Sequence, residues 1–259
     1  GDLRLRGNEL VFDRVQARND RIDLQARLRI ADGTPNGFVA TSLGNGDDKA
    51  NALVLQADGK IVVAGNRVAE DGSSNMIVAR YDATGVPDAT FGVSGDDGTP
   101  AGFVNISLGD GDDLARDVAL QADGKIALVG DSVTADGSSN FVLARLNADG
   151  TPDEAFGVSE DGTPNGFVST SLGEGNDFAT GVALQADGKI VVGGYHQEGD
   201  STNIAVLRYE TDGALDQGFG TADDGTENGI VNISLGDGDD MANGVAVQGD
   251  RLIVLAGTT

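Results

Sequence analysis

Apolar and polar residues alternate with a period of two along most of the chain. The clearest case is Val182-Ala-Leu-Gln-Ala-Asp-Gly-Lys-Ile-Val-Val-Gly-Gly194. Two short apolar runs flank Asp187-Gly188, which predicts a β-hairpin closed by a two-residue type I′ turn. The same pattern returns at Leu53–Gly65 and Val118–Gly130. An altered copy runs from Val245 to Gly257, with Gln248-Gly249-Asp250 at its turn. No stretch has a helical period.

The hairpin belongs to a longer repeat. Ser-Leu-Gly begins at residues 42, 107, 171 and 234, at spacings of 65, 64 and 63 residues. The unit 103–166 shows the order of signals. Phe103–Leu108 reads as a strand, Gly109–Asp113 as an acidic turn, and Asp117–Gln121 with Lys125–Val129 as the hairpin. Asn140–Leu146 reads as a further strand, with Asp-, Gly- and Pro-rich turns around it. Four short strands per repeat of about 64 residues predict an all-β, β-propeller-like array of about four four-stranded blades. One such sheet cannot bury both faces alone, so neighbouring sheets must stack.

The predicted division is 1–37 as a diverged basic N-terminal blade or set of closing strands, 38–102, 103–166 and 167–229 as full repeats, and 230–259 as a partial repeat. Within 1–37, Leu3–Phe12 lays onto Val118–Leu128 as a hairpin turning at Gly7-Asn8. Asp23–Leu28 matches Phe141–Leu146, and Asp32–Gly37 matches residues 161–166. N-terminal strands are therefore expected to complete the last blade, either within one molecule or between molecules. Completion between molecules would join copies head to tail and make a filament.

The runs 111–126 (Gly-Asp-Asp-Leu-Ala-Arg-Asp-Val-Ala-Leu-Gln-Ala-Asp-Gly-Lys-Ile) and 141–157 (Phe-Val-Leu-Ala-Arg-Leu-Asn-Ala-Asp-Gly-Thr-Pro-Asp-Glu-Ala-Phe-Gly) resemble the delta-60 repeat. That is a propeller-type repeat of secreted and surface-attached bacterial proteins. The resemblance covers about residues 38–259 in three full copies and one partial copy. It departs at the inserted Asp-Gly-Thr-Pro-Asn-Gly type of segment after Phe-Gly. It implies a non-catalytic protein outside the cell or on its surface, and no catalytic residues carry over.

Composition narrows the function classes. The net charge of −25 opposes binding to nucleic acid or an anionic membrane. It suits a protein that binds divalent cations or lives in high salt. Residues 1–30 hold seven arginines against five acids, a local charge of +2, so the acidic body carries −27. With no cysteine, disulfides and thiolate sites are excluded. No apolar run approaches the roughly 20 residues of a membrane span. The start Gly1-Asp2-Leu3-Arg4 is not a signal peptide, and the chain reads as a processed or excised one.

The strongest candidates for chemistry are the acidic turns. They supply Asp47 and Asp48, then Asp110, Asp112 and Asp113, then Glu174 and Asp177, then Asp237, Asp239 and Asp240. Carboxylates on glycine-bent loops can converge oxygens on Ca²⁺, which takes six to eight hard ligands. The spacing is neither that of an EF-hand nor the nine-residue period of a β-roll. The competing reading is Asx turns that cap backbone amides. A second acidic set, Asp96-Asp97, Glu160-Asp161 and Asp223-Asp224 with Asp32 as N-terminal counterpart, reads as solvated turns. Arg80, Arg145 and Arg208, with Arg27 in the diverged copy, recur inside an apolar strand. They predict buried ion pairs that can include an aspartate of a neighbouring blade, with Asp88, Asp153 and Asp216 as candidate partners. His196 is the only histidine and reads as an exposed loop residue; no Gly-x-Ser-x-Gly elbow accompanies it.

These features predict a non-enzymatic structural or adhesive protein, extracellular or on a cell surface, with Ca²⁺ as a possible stabilising ion. Its partners would be copies of itself or surface and matrix components, not nucleic acid and not a membrane interior. The alternatives are a head-to-tail filament subunit and a carbohydrate-active hydrolase or lyase with its site on the propeller axis.

Overall fold

The computed structural model describes residues 3–6, 9–12, 47–69, 71–92, 102–109, 111–157, 165–220, 228–236, 238–249 and 252–259. These form sixteen strands, and no helix occurs among the described residues. β1 (Leu3–Arg6) and β2 (Glu9–Phe12) pair as a hairpin. Three four-stranded antiparallel sheets follow. The first holds β3 (Asp48–Leu55), β4 (Ile61–Val68), β5 (Ser74–Tyr81) and β6 (Phe103–Ile106). The second holds β7 (Asp113–Leu120), β8 (Ile126–Val133), β9 (Ser139–Leu146) and β10 (Phe167–Thr170). The third holds β11 (Asp177–Leu184), β12 (Ile190–Glu198), β13 (Ser201–Tyr209) and β14 (Ile230–Ile233). A final pair is β15 (Met241–Val247) with β16 (Ile253–Thr258). The strands of each full sheet lie in chain order, so every sheet is a meander and has the form of a propeller blade. The outer strands β6, β10 and β14 begin the next sequence repeat yet pair with the preceding sheet.

Period-two alternation explains the stacking. In β8, Ile126 and Leu128 pack with Val62, Met76 and Val78 of the first sheet, while Ala127 and Val129 pack with Val182 and Val192 of the third. Successive side chains of one strand thus enter two different cores, and both faces of the sheet are buried. A third core joins Val191, Ile204 and Val206 to Val245, Val247 and Leu255 of the last pair. The inner strands β3, β7, β11 and β15 lie beside one another in series.

Each of these four inner strands carries a bulge, at Asn51, Arg116, Thr180 and Asn243. The bulge explains a recurring glycine on the facing strand. A Cβ on Gly65, Gly130, Gly194 or Gly257 would lie 1.8, 1.7, 2.0 or 2.0 Å from the carbonyl oxygen of Lys49, Leu114, Phe178 or Met241. Only glycine lets the bulged backbone approach that closely.

The hairpin turns differ from the two-residue expectation. The Gln185 amide donates to Lys189 O and the Gly188 amide to Gln185 O, leaving a three-residue loop, Ala186–Gly188. Gly188 supplies the left-handed position at φ 89°, and the Lys189 amide donates to Asp187 Oδ1 at 3.3 Å. This is a turn followed by a glycine bulge, which also matches the strand twist.

The ring is open among the described residues: no strand of the first sheet pairs with the last, and β16 pairs with β15 alone. β1 and β2 pair with each other and not with β16, so they do not complete the last blade within one molecule. The other expected closing strand, 23–28, lies outside the described residues.

Candidate functional site

The recurring charges fall at opposite ends of the strands and do different things. At one end is the acidic turn. Its last carboxylate, expected in a turn, is in fact the first strand residue: Asp113 opens β7 and Asp177 opens β11. Asp113 Oδ2 accepts the Leu108 amide at 2.8 Å, Asp177 Oδ2 the Leu172 amide at 2.8 Å, and Asp240 Oδ2 the Leu235 amide at 2.6 Å. Each carboxylate therefore caps the leucine of Ser-Leu-Gly, where the chain crosses from one sheet to the next. All three are buried, and their Oδ1 atoms have no hydrogen-bond partner. Burial pushes the Asp113 and Asp177 carboxyls above the usual range, against the pull of the leucine amides.

The preceding residue reaches the other way. Asp112 Oδ1 accepts the Ser74 amide at 2.7 Å, Asn176 Oδ1 the Ser139 amide at 3.0 Å, and Asp239 Oδ1 the Thr202 amide at 3.0 Å. Every donor lies at the start of the third strand of the preceding sheet, so this side chain latches one sheet to the last. Asn176 serves as well as an aspartate because the role needs an acceptor and not a charge.

These turns were the candidates for Ca²⁺. The two oxygens on adjacent residues point to different elements. Among the described residues no three His, Cys, Asp or Glu side chains come together to hold a metal. In the first copy Asp47 precedes β3 and Asp48 opens it, and Glu174 stands on the third copy of the turn. Asp110 and Asp237 lie outside the described residues, as do the second acidic set and Arg27.

At the other end is a cation node. Arg80 Nε donates to Asp88 Oδ2 at 2.8 Å, Arg145 Nε to Asp153 at 2.6 Å, and Arg208 Nε to Asp216 at 2.6 Å. The turn lysine of the same sheet joins each pair, at 2.9 Å for Lys60, 2.7 Å for Lys125 and 2.8 Å for Lys189. The arginines lie over Phe91, Phe156 and Phe219 at 4.5, 4.1 and 4.4 Å. The partners predicted from sequence are present, but within one sheet. What crosses to the neighbour is the guanidinium: Arg80 Nη1 donates to Ala148 O and Arg145 Nη1 to Thr211 O. Lys189 and Arg208 hold the Asp216 carboxyl well below the usual range. At Asp88 and Asp153 burial pulls upward but is outweighed, chiefly by Thr90 and Lys60 at Asp88 and by Lys125 and Arg145 at Asp153.

Two elements escaped the sequence reading. The bulged residue of the inner strand bonds outward: Asn51 Nδ2 donates to Ala115 O at 2.7 Å and Thr180 Oγ1 to Ala242 O at 2.7 Å, each on the next sheet. Arg116 instead pairs with buried Asp131. A polar residue out of phase with the alternation was the available signal. His196 is not an exposed loop residue. It sits on β12, buried, across from Asp177. The strand runs on to Glu198 because its partner β13 begins at Ser201.

Comparison with known proteins agrees with this anatomy. A family model described as "Domain of unknown function (DUF5122) beta-propeller" matches residues 56–91, 121–156 and 185–219. Each stretch runs from the glutamine of the hairpin turn to the phenylalanine of the cation node. The repeats are thus of a propeller type. No curated protein matches the chain. Among solved structures, one match is "Crystal structure of glucose dehydrogenase", with 14% identity, covering 79% of this chain and 78% of that one at a TM-score of 0.35.

Proposed function

We propose that this propeller-type repeat chain is a non-enzymatic structural or adhesive module of the delta-60 kind, working outside the cell or on its surface. Its partners are surface or matrix components, or further copies of itself. The observation that carries the reading is how the recurring charges are used. Arginine, lysine and aspartate at the node hold sheets together, and the turn carboxylates cap amides or latch neighbouring sheets. General acid–base work on a glycoside needs two carboxyls of contrasting character at one site. Here the raised carboxyls of Asp113 and Asp177 and the lowered ones of Asp153 and Asp216 sit at opposite strand ends, and the arrangement repeats from sheet to sheet.

Calcium enters the proposal through the exposed Asp112 and Asp239, together with their sequence neighbours Asp110 and Asp237. A divalent ion there would relieve their mutual repulsion at the weak affinities typical of extracellular modules. Thermal melting tests this. Millimolar Ca²⁺ should raise the midpoint and a chelator should return it, while Mg²⁺ at equal ionic strength should not. An unchanged midpoint removes calcium from the proposal. Retention of the protein on cell-envelope or matrix fractions tests the adhesive part. Sedimentation as polymers would replace it with head-to-tail assembly.

A further inference from the structure

The interfaces between sheets follow one plan, and one of them departs from it. A groove of about 320 Å³ opens between the first and second sheets, lined by Leu108, Ser132, Thr134, Val142, Phe167 and Ser169, among others. That volume lies at the lower end of the range for small-molecule sites. The groove exists because of a size change at one position. Ser132 faces Asp113 across the strands as Arg67 faces Asp48 and His196 faces Asp177 in the sister sheets. A hydroxymethyl thus stands where a guanidinium or an imidazole stands elsewhere. Ser169 likewise replaces Asn105 and Asn232 on the outer strands. A Cβ on Gly109 would meet nothing within 4 Å, so the mouth is open on that side.

The lining is as unusual as the space. The chain carries a net charge of −25, yet no charged side chain among the described residues lines the groove. Its polar groups are hydroxyls, each able both to donate and to accept. Thr134 is occupied, its Oγ1 lying 2.5 Å from Asp136 Oδ1. Ser169 Oγ receives only a long contact from Asn140 Nδ2 at 3.5 Å, and Ser132 is buried, its hydroxyl turned to Asp113 and its oxygen left to accept. Leu108, Val142 and Phe167 supply apolar surface beside them.

We propose that this groove binds a small uncharged polyhydroxylated ring, a neutral sugar unit of a glycan. The ring's hydroxyls would exchange hydrogen bonds with Ser132 and Ser169, and its carbon–hydrogen faces would lie on Leu108 and Phe167. An anion would meet the field of the acidic body, and the described lining residues offer neither a cation to receive it nor a carboxylate to a cation. The proposal rests on the adhesive reading above and gives its partner a chemistry.

The test uses the whole chain and saturation-transfer NMR with three neutral probes, methyl glucoside, methyl galactoside and N-acetylglucosamine, and with glucuronate as the charged control. At least one neutral probe should bind and glucuronate should not. Ser132→His installs the residue of the third sheet, and Ser169→Asn that of the first and third, so both are compatible with the fold. Each should weaken binding by about tenfold or more, with circular dichroism and melting midpoint unchanged. Failure of all three neutral probes, equal binding of glucuronate, or binding indifferent to both variants overturns the proposal. Retention on surface fractions that survives Ser132→His would leave the adhesive reading standing while this site falls.

Discussion

The two ends of each sheet carry aspartates of opposite character. At the node, Asp88, Asp153 and Asp216 face an arginine and a lysine and lie below the usual carboxyl range. At the turn, Asp113 and Asp177 each accept a leucine amide, face Ser132 and His196 across the strands, and lie above it. Burial acts on both sets. The difference is the arginine–lysine pair, which offsets the loss of hydration at one end and is lacking at the other. The same residue type thus fastens the sheet strongly at one end and at some cost at the other. An acidic protein with few lysines spends three of its four on the favourable end.

The comparison breaks most sharply at the node. Asp153→Ala leaves Arg145 and Lys125 without their shared carboxylate beside Phe156, and should cost about 3–5 kcal/mol in urea unfolding. Converting the whole node to apolar residues should cost less than this single change. Gly130→Ala pushes a Cβ onto the Leu114 carbonyl of the bulge and should cost about 2–3 kcal/mol, with loss of amide protection in β7 and β8.

The pH profile separates the two sets. A raised carboxyl opposes folding when ionised, so its penalty fades as pH falls from neutrality through its folded value. A lowered carboxyl stabilises above the unfolded value of about 3.9 and loses that contribution below it. Stability should therefore rise from pH 7.5 into the mildly acidic range and fall below about pH 4. Asp113→Asn should stabilise at pH 7.5 by about 1 kcal/mol or less and flatten the upper limb of that profile. Asp112→Ala removes one latch to Ser74 and should cost about 0.5–1.5 kcal/mol in urea unfolding.

Much of this was legible in the residues. Short apolar runs between turn residues marked the strands and the repeat marked the stacked sheets, because burying both faces forces apolar residues at every position of β8 from Ile126 to Val129. The node was legible because an arginine recurring in an apolar strand needs a partner, and an aspartate eight residues on recurs with it. The turn end was harder. The bulge at Arg116 interrupts the alternation, so Asp113 reads as part of a turn although it opens β7. Its oxygen serves Leu108, and that of Asp112 serves Ser74 of the preceding sheet, a long-range contact that no local pattern carries. His196 was misplaced for the same reason: its burial depends on β13 pairing with the end of β12.

The most direct test of the account is a carboxyl-resolved NMR titration of the aspartates, assigned by single substitution. The account predicts that Asp113 and Asp177 protonate above the ordinary aspartate range and that Asp88, Asp153 and Asp216 protonate below it. If the two sets titrate together near the ordinary value, the cation node does not hold its carboxylates and the contrast between the two ends is wrong.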